Sequence, residues 1–377
     1  MAAQAESRAT ALYLSSHPDT GRLVCLDAFR GLTMLLMVIV NSSGPAVYHQ
    51  FHHAEWNGWT LADTVFPAFL WIVGVAITLS LGKKIALGVP RRALLLRIFR
   101  RSIVLYALGV FIYLFPAFDF AHIRFTGVLQ RIAVCYLVAA MLFLYSGIKT
   151  QLACATVLLS LYWALIMLVP APGYAAGDLT VDGNLAHYID RTVLGSHNWV
   201  ETKTWDPEGI LSTVPAIATT LLGVLAGYIL QSGGTIAQRC AWLFTAGCGL
   251  LAAGLICDAW LPINKNLWTS SFALFMAGLD SLVLGCMLWL IDGRGYRRWA
   301  QPLVILGMNA IAVYMLSELL PEILIAAFSP GGSGGTTPEQ PGALPAPAVQ
   351  FAYAIAFPLA MYAFAWLLYR KQWFPRL

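Results

Sequence analysis

Charge is what this chain has least of. Asp, Glu, Lys and Arg make up 11% of its 377 residues, against 59% hydrophobic, and the mean hydropathy is +0.71. No polar stretch is long enough to fold alone, which excludes a soluble globule of ordinary composition and leaves one integral membrane domain. No long basic run is present either. The net charge of +5 is spread over short loops, so nucleic-acid binding has no footprint. The seven cysteines (25, 135, 154, 240, 248, 257, 286) form no CxxC pair and no Cys/His ligand spacing, and read as small apolar packing residues. GxGxxG, P-loop, HExxH and GxSxG contexts are missing, so nucleotide hydrolysis, zinc proteolysis and a serine elbow lack support. The first two dozen residues show no charged head, apolar core and small-residue cleavage site, and no cleaved leader is expected. No repeat of fixed period is evident.

What the chain does have is long apolar runs. A span needs about 20 mostly apolar residues, and ten segments qualify: 28–47, 61–82, 98–118, 127–146, 152–170, 209–231, 240–260, 269–291, 300–320 and 350–369. The expected fold is an all-α membrane bundle over 28–369, with a 1–27 N-terminal segment and a 370–377 tail. Placing the GKKIALGVPRRALLLRIFRR, SGGTIAQR and DGRGYRR connections, and the short one around Lys149, on the side of the termini gathers 18 of the 23 basic residues there. Arg124, Arg131, Arg191, Lys203 and Lys265 stay on the other side. The positive-inside rule then puts both termini in the cytoplasm. It also exports the 48–60 loop, the 171–208 loop, the LPINKNLW turn and the Gly/Pro-rich 329–349, which reads as a flexible connector without chemistry.

Polar groups beside hydrocarbon are costly and mark function by default. The densest group is Asn41 to Asp63, NSSGPAVYHQFHHAEWNGWTLAD, with three of the seven histidines (His49, His52, His53) and the carboxylates Glu55 and Asp63. A histidine that is neutral near pH 7 can accept a proton and return it. His53 is the candidate base, with His49 and His52 as rivals; adjacent histidines without a well-spaced third ligand give no reason to expect a metal. Asp63 reads as a helix cap, as the carboxylate that orients a histidine, or as both. Asn41 is interhelical glue or a donor to an oxyanion.

Four further motifs fall at the same ends of spans. RFTGVLQR brackets Gln130 with Arg124 and Arg131, which either snorkel or meet an anion. WDPEGILST places Asp206 and Glu208 as helix-start acids or as carboxylates facing an outer vestibule. PINKNLWTSS carries Lys265 between Asn264 and Asn266, a wet turn or a contact for phosphate, CoA or sugar. GMNAIAVYMLSELL brings Asn309 and Glu318, as packing or as cavity lining. At the opposite face, Asp27 and Arg30 are three apart on a helix and able to pair.

These residues, in this order, resemble a known family. RLVCLDAFRGLTMLLMVIVN, HHAEWNGWTLADTVFPAF, RFTGVLQR, DPEGILST, PINKNLW and GMNAIAVY, together covering about 22–369, are similar to the heparan-α-glucosaminide N-acetyltransferases, including bacterial NagX-type members. The resemblance implies a transmembrane acetyltransferase. It would take acetyl-CoA from the cytoplasmic side and deliver the acetyl group to a glucosamine amine on the lumenal or periplasmic side. It places the active-site histidine on His53 and carries Asn41 and Asp63 with it. Trp56, Asn57, Asp206, Glu208 and Asn264 are then expected at the acceptor sugar, and Arg124, Gln130, Arg131, Lys265 and Asn309 at acetyl-CoA, the co-substrate. A homodimer is implied; the histidine spacing and the spread charge already give no expectation of a metal or of nucleic acid. The large lumenal N-terminal region of the animal enzymes is not seen before the first motif, so the expectation is a bacterial inner-membrane enzyme with a smaller amino sugar. Two rivals stand beside it: a transporter of amino sugars, and acylation of a cell-wall or lipid-linked glycan.

Overall fold

The computed structural model describes residues 23–43, 48–328 and 347–374; the N-terminal segment up to residue 22 and most of the expected 329–349 connector lie outside them. Every regular element in that range is helical. In chain order the helices are α1 (Val24–Ser42), α2 (Leu61–Ala86), α3 (Arg91–Leu114), α4 (Val128–Tyr145), α5 (Ile148–Leu168), α6 (Leu185–Leu194), α7 (Thr213–Gln231), α8 (Ile236–Asp258), α9 (Ser270–Met287), α10 (Gln301–Met308), α11 (Ala310–Phe328) and α12 (Pro347–Arg370).

A helix lies on each of the ten expected spans, yet among the described residues only eight are long and apolar enough to cross a membrane singly. Two segments depart for separate reasons. The first is α3, which has 24 residues but carries Arg91, Arg92, Arg97, Arg100 and Arg101 in its first half. The second is the expected 300–320 span, which is broken: Gln301–Met308 and Ala310–Ile325 meet at 75°. The break falls at Asn309, whose amide nitrogen bonds Ile305 O (3.2 Å) and Ala365 O (3.4 Å). The protein is an all-α integral membrane protein.

Burial separates a centre from a periphery. In α2 and α7, 67% of the apolar window is buried, and in α9 61%, against 22% in α5 and α8. Lipid is as apolar as leucine, so such helices associate by close packing and internal polar contacts rather than by hydrophobic drive. Both are present. A Cβ on Gly74 would stand 2.0 Å from Thr220 O, and one on Gly223 2.0 Å from Trp71 O, so α2 and α7 touch backbone to backbone. Gly31 and Gly307 do the same for α1 and α10. The Thr78 hydroxyl donates to Val224 O (2.9 Å), Ser102 to Ala133 O (2.8 Å) and Ser270 to Leu159 O (2.8 Å).

Helix ends are tied locally. Thr235 and Gln238 form a capping box that starts α8. The first N–H groups of α1 are met from far along the chain, by Asp292, with Cys25 N at 2.9 Å. The expected Asp27–Arg30 pair is made at 3.3 Å. Because the central helices alternate in direction, the 48–60, 115–127, 169–212 and 259–269 connections collect at one end of the bundle.

Candidate active site

At that end the 48–60 loop is pinned from two sides. Gly58, with φ +94°, donates its N–H to Ile263 O at 2.7 Å. Asn264 Nδ2 donates to Asn57 Oδ1 at 3.2 Å. Trp56 Nε1 reaches Leu179 O at 3.0 Å. These contacts hold the loop over the first turn of α2, where Asp63 is 1% exposed.

The two oxygens of Asp63 do different work. Oδ2 accepts the backbone N–H of Thr60 and of Ala54, each at 3.0 Å, and meets the Thr60 hydroxyl at 3.1 Å. It thereby caps the helix and fixes the loop. Oδ1 lies 2.8 Å from His53 Nδ1 and 3.5 Å from Lys265 Nζ. An ionised carboxylate only accepts, so Nδ1 carries the proton and the Nε2 lone pair is left free. The His53 side chain is 51% exposed while its carboxylate is buried, so the ring is held from behind and open in front.

Lys265, expected at CoA, stands at this pair. Its ammonium is 3.0 Å from His53 Nδ1 and 3.2 Å from Nε2. Near-equal distances put it across the ring rather than along either nitrogen's lone pair. Burial pulls the lysine below its ordinary pKa; Asp63 and Glu208 pull it back, and Arg131 adds a like-charge push downward. Glu208 and Arg131 are therefore within electrostatic reach of Lys265.

Arg124, Asp206 and Glu208 pair with one another. Arg124 holds Asp206 through Nε (2.7 Å) and Nη2 (2.6 Å), and Nη2 also meets Glu208 Oε2 at 2.6 Å. Thr126 adds its hydroxyl to Asp206 at 2.7 Å, and the guanidinium lies over the rings of Tyr113 and Trp199. Burial alone would raise Asp206, but the hydrogen bonds and charge of Arg124 hold its carboxyl below the usual range. The reading of these acids as helix starters is corrected here: α7 begins only at Thr213, after a turn, and the Asp206 carboxylate takes the Glu208 N–H at 2.8 Å instead.

Gln130 and Arg131 are each 2% exposed on the first turn of α4. Arg131 Nη2 bonds Gly209 O at 3.2 Å and the Ser212 hydroxyl, and its guanidinium lies over Trp268 and Phe66. Its Nε and Nη1, and both polar atoms of the Gln130 amide, have no protein partner. Buried polar groups are nearly always satisfied, so these four atoms mark a place for a polar ligand. The Asn41 bond runs elsewhere: its amide donates to Glu318 Oε1 on α11 at 3.1 Å.

Outside the His53 loop is an open cleft of about 410 Å³ lined by Trp56, Asn57, Leu179, Thr180 and Val181. Behind Trp56 the rings of His187 and Trp205 stack at 4.1 Å, with Trp56 edge-on to both. His187 and Trp205 escaped sequence reasoning: His187 lies on α6, in a 171–208 stretch that shows no motif around it, and Trp205 was visible only as a neighbour of Asp206. Thr60 was legible in principle, as the T-x-x-D start of α2.

Residues 22–246 match the family model described as heparan-alpha-glucosaminide N-acetyltransferase, catalytic. The chain belongs to that family. Curated relatives of the same name include a mouse protein, 32% identical over 374 residues, with 83% of this chain and 57% of the relative covered. A human one is 32% identical over 353 residues, covering 79% of this chain and 53% of the relative. The chain thus spans about half the length of the heparan-alpha-glucosaminide N-acetyltransferases it matches. The matched 22–246 region holds His53, Asp63, Arg124, Gln130, Arg131, Asp206 and Glu208, while Lys265 reaches them from beyond it.

Proposed function

We propose that the protein is an acetyltransferase that moves an acetyl group from acetyl-CoA to the amine of a glucosamine-type sugar. The observation that carries the reading is His53: an open imidazole whose Nδ1 is tied at 2.8 Å to a buried carboxylate, leaving Nε2 free to take a proton.

The neutral amine of the acceptor attacks the thioester carbonyl carbon, forming the C–N bond. His53 Nε2 takes the proton the nitrogen loses, and Asp63 stabilises the imidazolium. As the C–S bond breaks, that proton passes to the departing thiolate, giving free thiol and amide. The oxyanion between these steps is assigned to the Lys265 ammonium, which already lies across the ring, rather than to Asn41, whose amide is engaged by Glu318. The unpartnered atoms of Gln130 and Arg131 supply donors and an acceptor for the thioester end of the donor. The cleft at Trp56 and Asn57 offers an aromatic wall and amides to a sugar ring, while the Arg124–Asp206–Glu208 cluster holds the loop beside it. Direct transfer in a ternary complex is preferred to an acetyl-histidine, because attack by Nε2 on the thioester would consume the lone pair needed as base. The positive-inside pattern supports a donor arriving from the cytoplasm of a bacterial cell, an acceptor from the periplasm, and a homodimeric assembly is part of the same proposal.

The test is purified full-length protein with radiolabelled acetyl-CoA and glucosamine, wild type beside His53→Ala. Labelled N-acetylglucosamine from wild type alone, with acetyl-CoA bound by both, supports the reading. Absence of product with any amino sugar, together with sugar uptake in proteoliposomes, overturns it in favour of a transporter.

A further inference from the structure

The end of the bundle opposite His53 carries a cluster of cations that the chemistry above does not use. Lys84 lies in the last turn of α2, and Arg97 and Arg101 lie one turn apart on one face of α3. Lys84 sits within reach of the charges of both arginines. None of the three has a carboxylate partner among the described residues. The Arg101 guanidinium is held over the ring of Tyr136 on α4 at 4.8 Å, and its Nε is buried without a hydrogen-bond partner. Lys84 and Arg101 are half-buried and Arg97 is open to solvent.

A lysine at a helix C-terminus is explained by the helix dipole. Two arginines well inside α3 are not, since Arg101 stands ten residues beyond Arg91, about 15 Å into the helix at 1.5 Å per residue. Three like charges converging from two helices, steadied by a ring on a third, repel one another unless an anion joins them. Arginine and lysine together favour phosphate, the first by its planar fork and the second as a point charge.

We propose that Lys84, Arg97 and Arg101 form a binding site for the phosphate groups at the adenosine end of the acyl-CoA donor. This rests on the acetyltransferase reading. The spacing agrees with it: Asp63 and Lys84 mark the two ends of α2, 21 residues and about 31 Å apart along the axis, and Arg101 stands between those levels. A donor lying along α2 with its thioester at His53 extends its pantetheine arm down the bundle and delivers its phosphates to this cluster.

The experiment uses full-length protein in phosphatidylcholine nanodiscs, as wild type, Arg101→Gln and Lys84→Gln/Arg97→Gln/Arg101→Gln, each checked for an unchanged melting profile. Two readouts are taken: equilibrium binding of adenosine 3′,5′-bisphosphate, and kinetics with acetyl-CoA beside S-acetylpantetheine, which has no phosphate. The expected result is bisphosphate binding to wild type that weakens at least tenfold in the triple variant and by an intermediate amount in Arg101→Gln. KM for acetyl-CoA rises by a similar factor with kcat retained, and kcat/KM for S-acetylpantetheine is unmoved. Equal bisphosphate binding by wild type and triple variant, or KM values for the two donors that rise together, overturns the proposal. So does a wild type that ignores bisphosphate but responds to added phosphatidylglycerol, which makes the cluster a lipid headgroup site. Should neither donor be turned over by any protein, the acetyltransferase reading fails, and the bisphosphate titration still decides the phosphate site.

Discussion

Replacing Asp63 by asparagine probes the proposed chemistry more finely than removing His53, because the variant keeps the shape of the site while it moves one ring proton and removes the charge 3.5 Å from Lys265. Asp63 Oδ2 receives the N–H groups of Ala54 and Thr60, each at 3.0 Å. Those two donors oblige an asparagine to turn its oxygen toward the backbone, since the reversed amide would aim an NH2 at two N–H groups. The NH2 then faces His53 Nδ1 across the 2.8 Å now spanned by the carboxylate. A ring nitrogen facing a donor must accept, so the ring proton moves to Nε2 and the base loses its lone pair. Regaining the productive tautomer sets donor against donor, at about 1–3 kcal/mol, and the imidazolium forgoes a charge-assisted bond of about 1.5–3 kcal/mol. Together these come to about 4 kcal/mol, or roughly 10³-fold in kcat at 1.36 kcal/mol per factor of ten. The assay is steady-state acetylation of glucosamine by solubilised protein at a temperature where the variant is fully folded, with KM for both substrates expected to stay near wild type. An Asp63→Asn enzyme retaining more than a tenth of the wild-type kcat would refute the tautomer argument.

Much of this site was legible in the chain because it is local. His53, Thr60 and Asp63 fall within eleven residues, and the polar surroundings of a span entrance are visible without coordinates. The helices were legible for a related reason: an apolar run of span length has few other uses in a chain so poor in charge. The Lys265–His53 contact joins residues 212 apart, and no periodicity connects them. The same holds for Arg124 with Asp206 and Glu208, 82 and 84 residues away. Each of these groups was read as a ligand contact or as a local feature (a snorkelling arginine, helix-start acids, a wet turn), while in the folded chain they satisfy one another. Buried charges require partners, but a sequence does not say whether the partner is a substrate or another loop. Gln130 and Arg131 show the converse: the RFTGVLQR motif pointed to a ligand contact, but only packing reveals that four of their polar atoms are buried and left unmatched. The broken span was hidden because hydropathy is blind to direction; Gln301–Met308 and Ala310–Ile325 read as one run and fold at 75°.

Two further outcomes are expected. Lys265→Met keeps the bulk of the side chain and removes the ammonium 3.0 Å and 3.2 Å from the ring nitrogens. Its kcat should fall about 10²-fold with KM for both substrates near wild type, as for the loss of one oxyanion donor; a kcat that stays near wild type would leave the lysine a structural role only. The second concerns the loop helix α6. Burial pulls His187 down from 6.5 to about 4, so the neutral ring is what folds, and its contribution is complete above pH 6.5 and is lost as pH falls toward 4. Burial pushes Asp190 up from 3.8 to about 6, so its carboxylate is penalised at neutral pH and the penalty lifts as pH falls from 6 toward 4. Each effect amounts to about 3 kcal/mol at 1.36 kcal/mol per pH unit, with opposite signs, and in the native protein they nearly cancel. Asp190→Asn preserves an oxygen for the Ile210 N–H, now at 2.9 Å, but does not titrate. The histidine then acts alone, and the melting temperature of the variant should drop steadily between pH 6.5 and 4 while the wild type changes little. If variant and wild type trace parallel curves through that window, Asp190 is not the buried, proton-binding carboxyl that its place beneath the sugar-side loop requires.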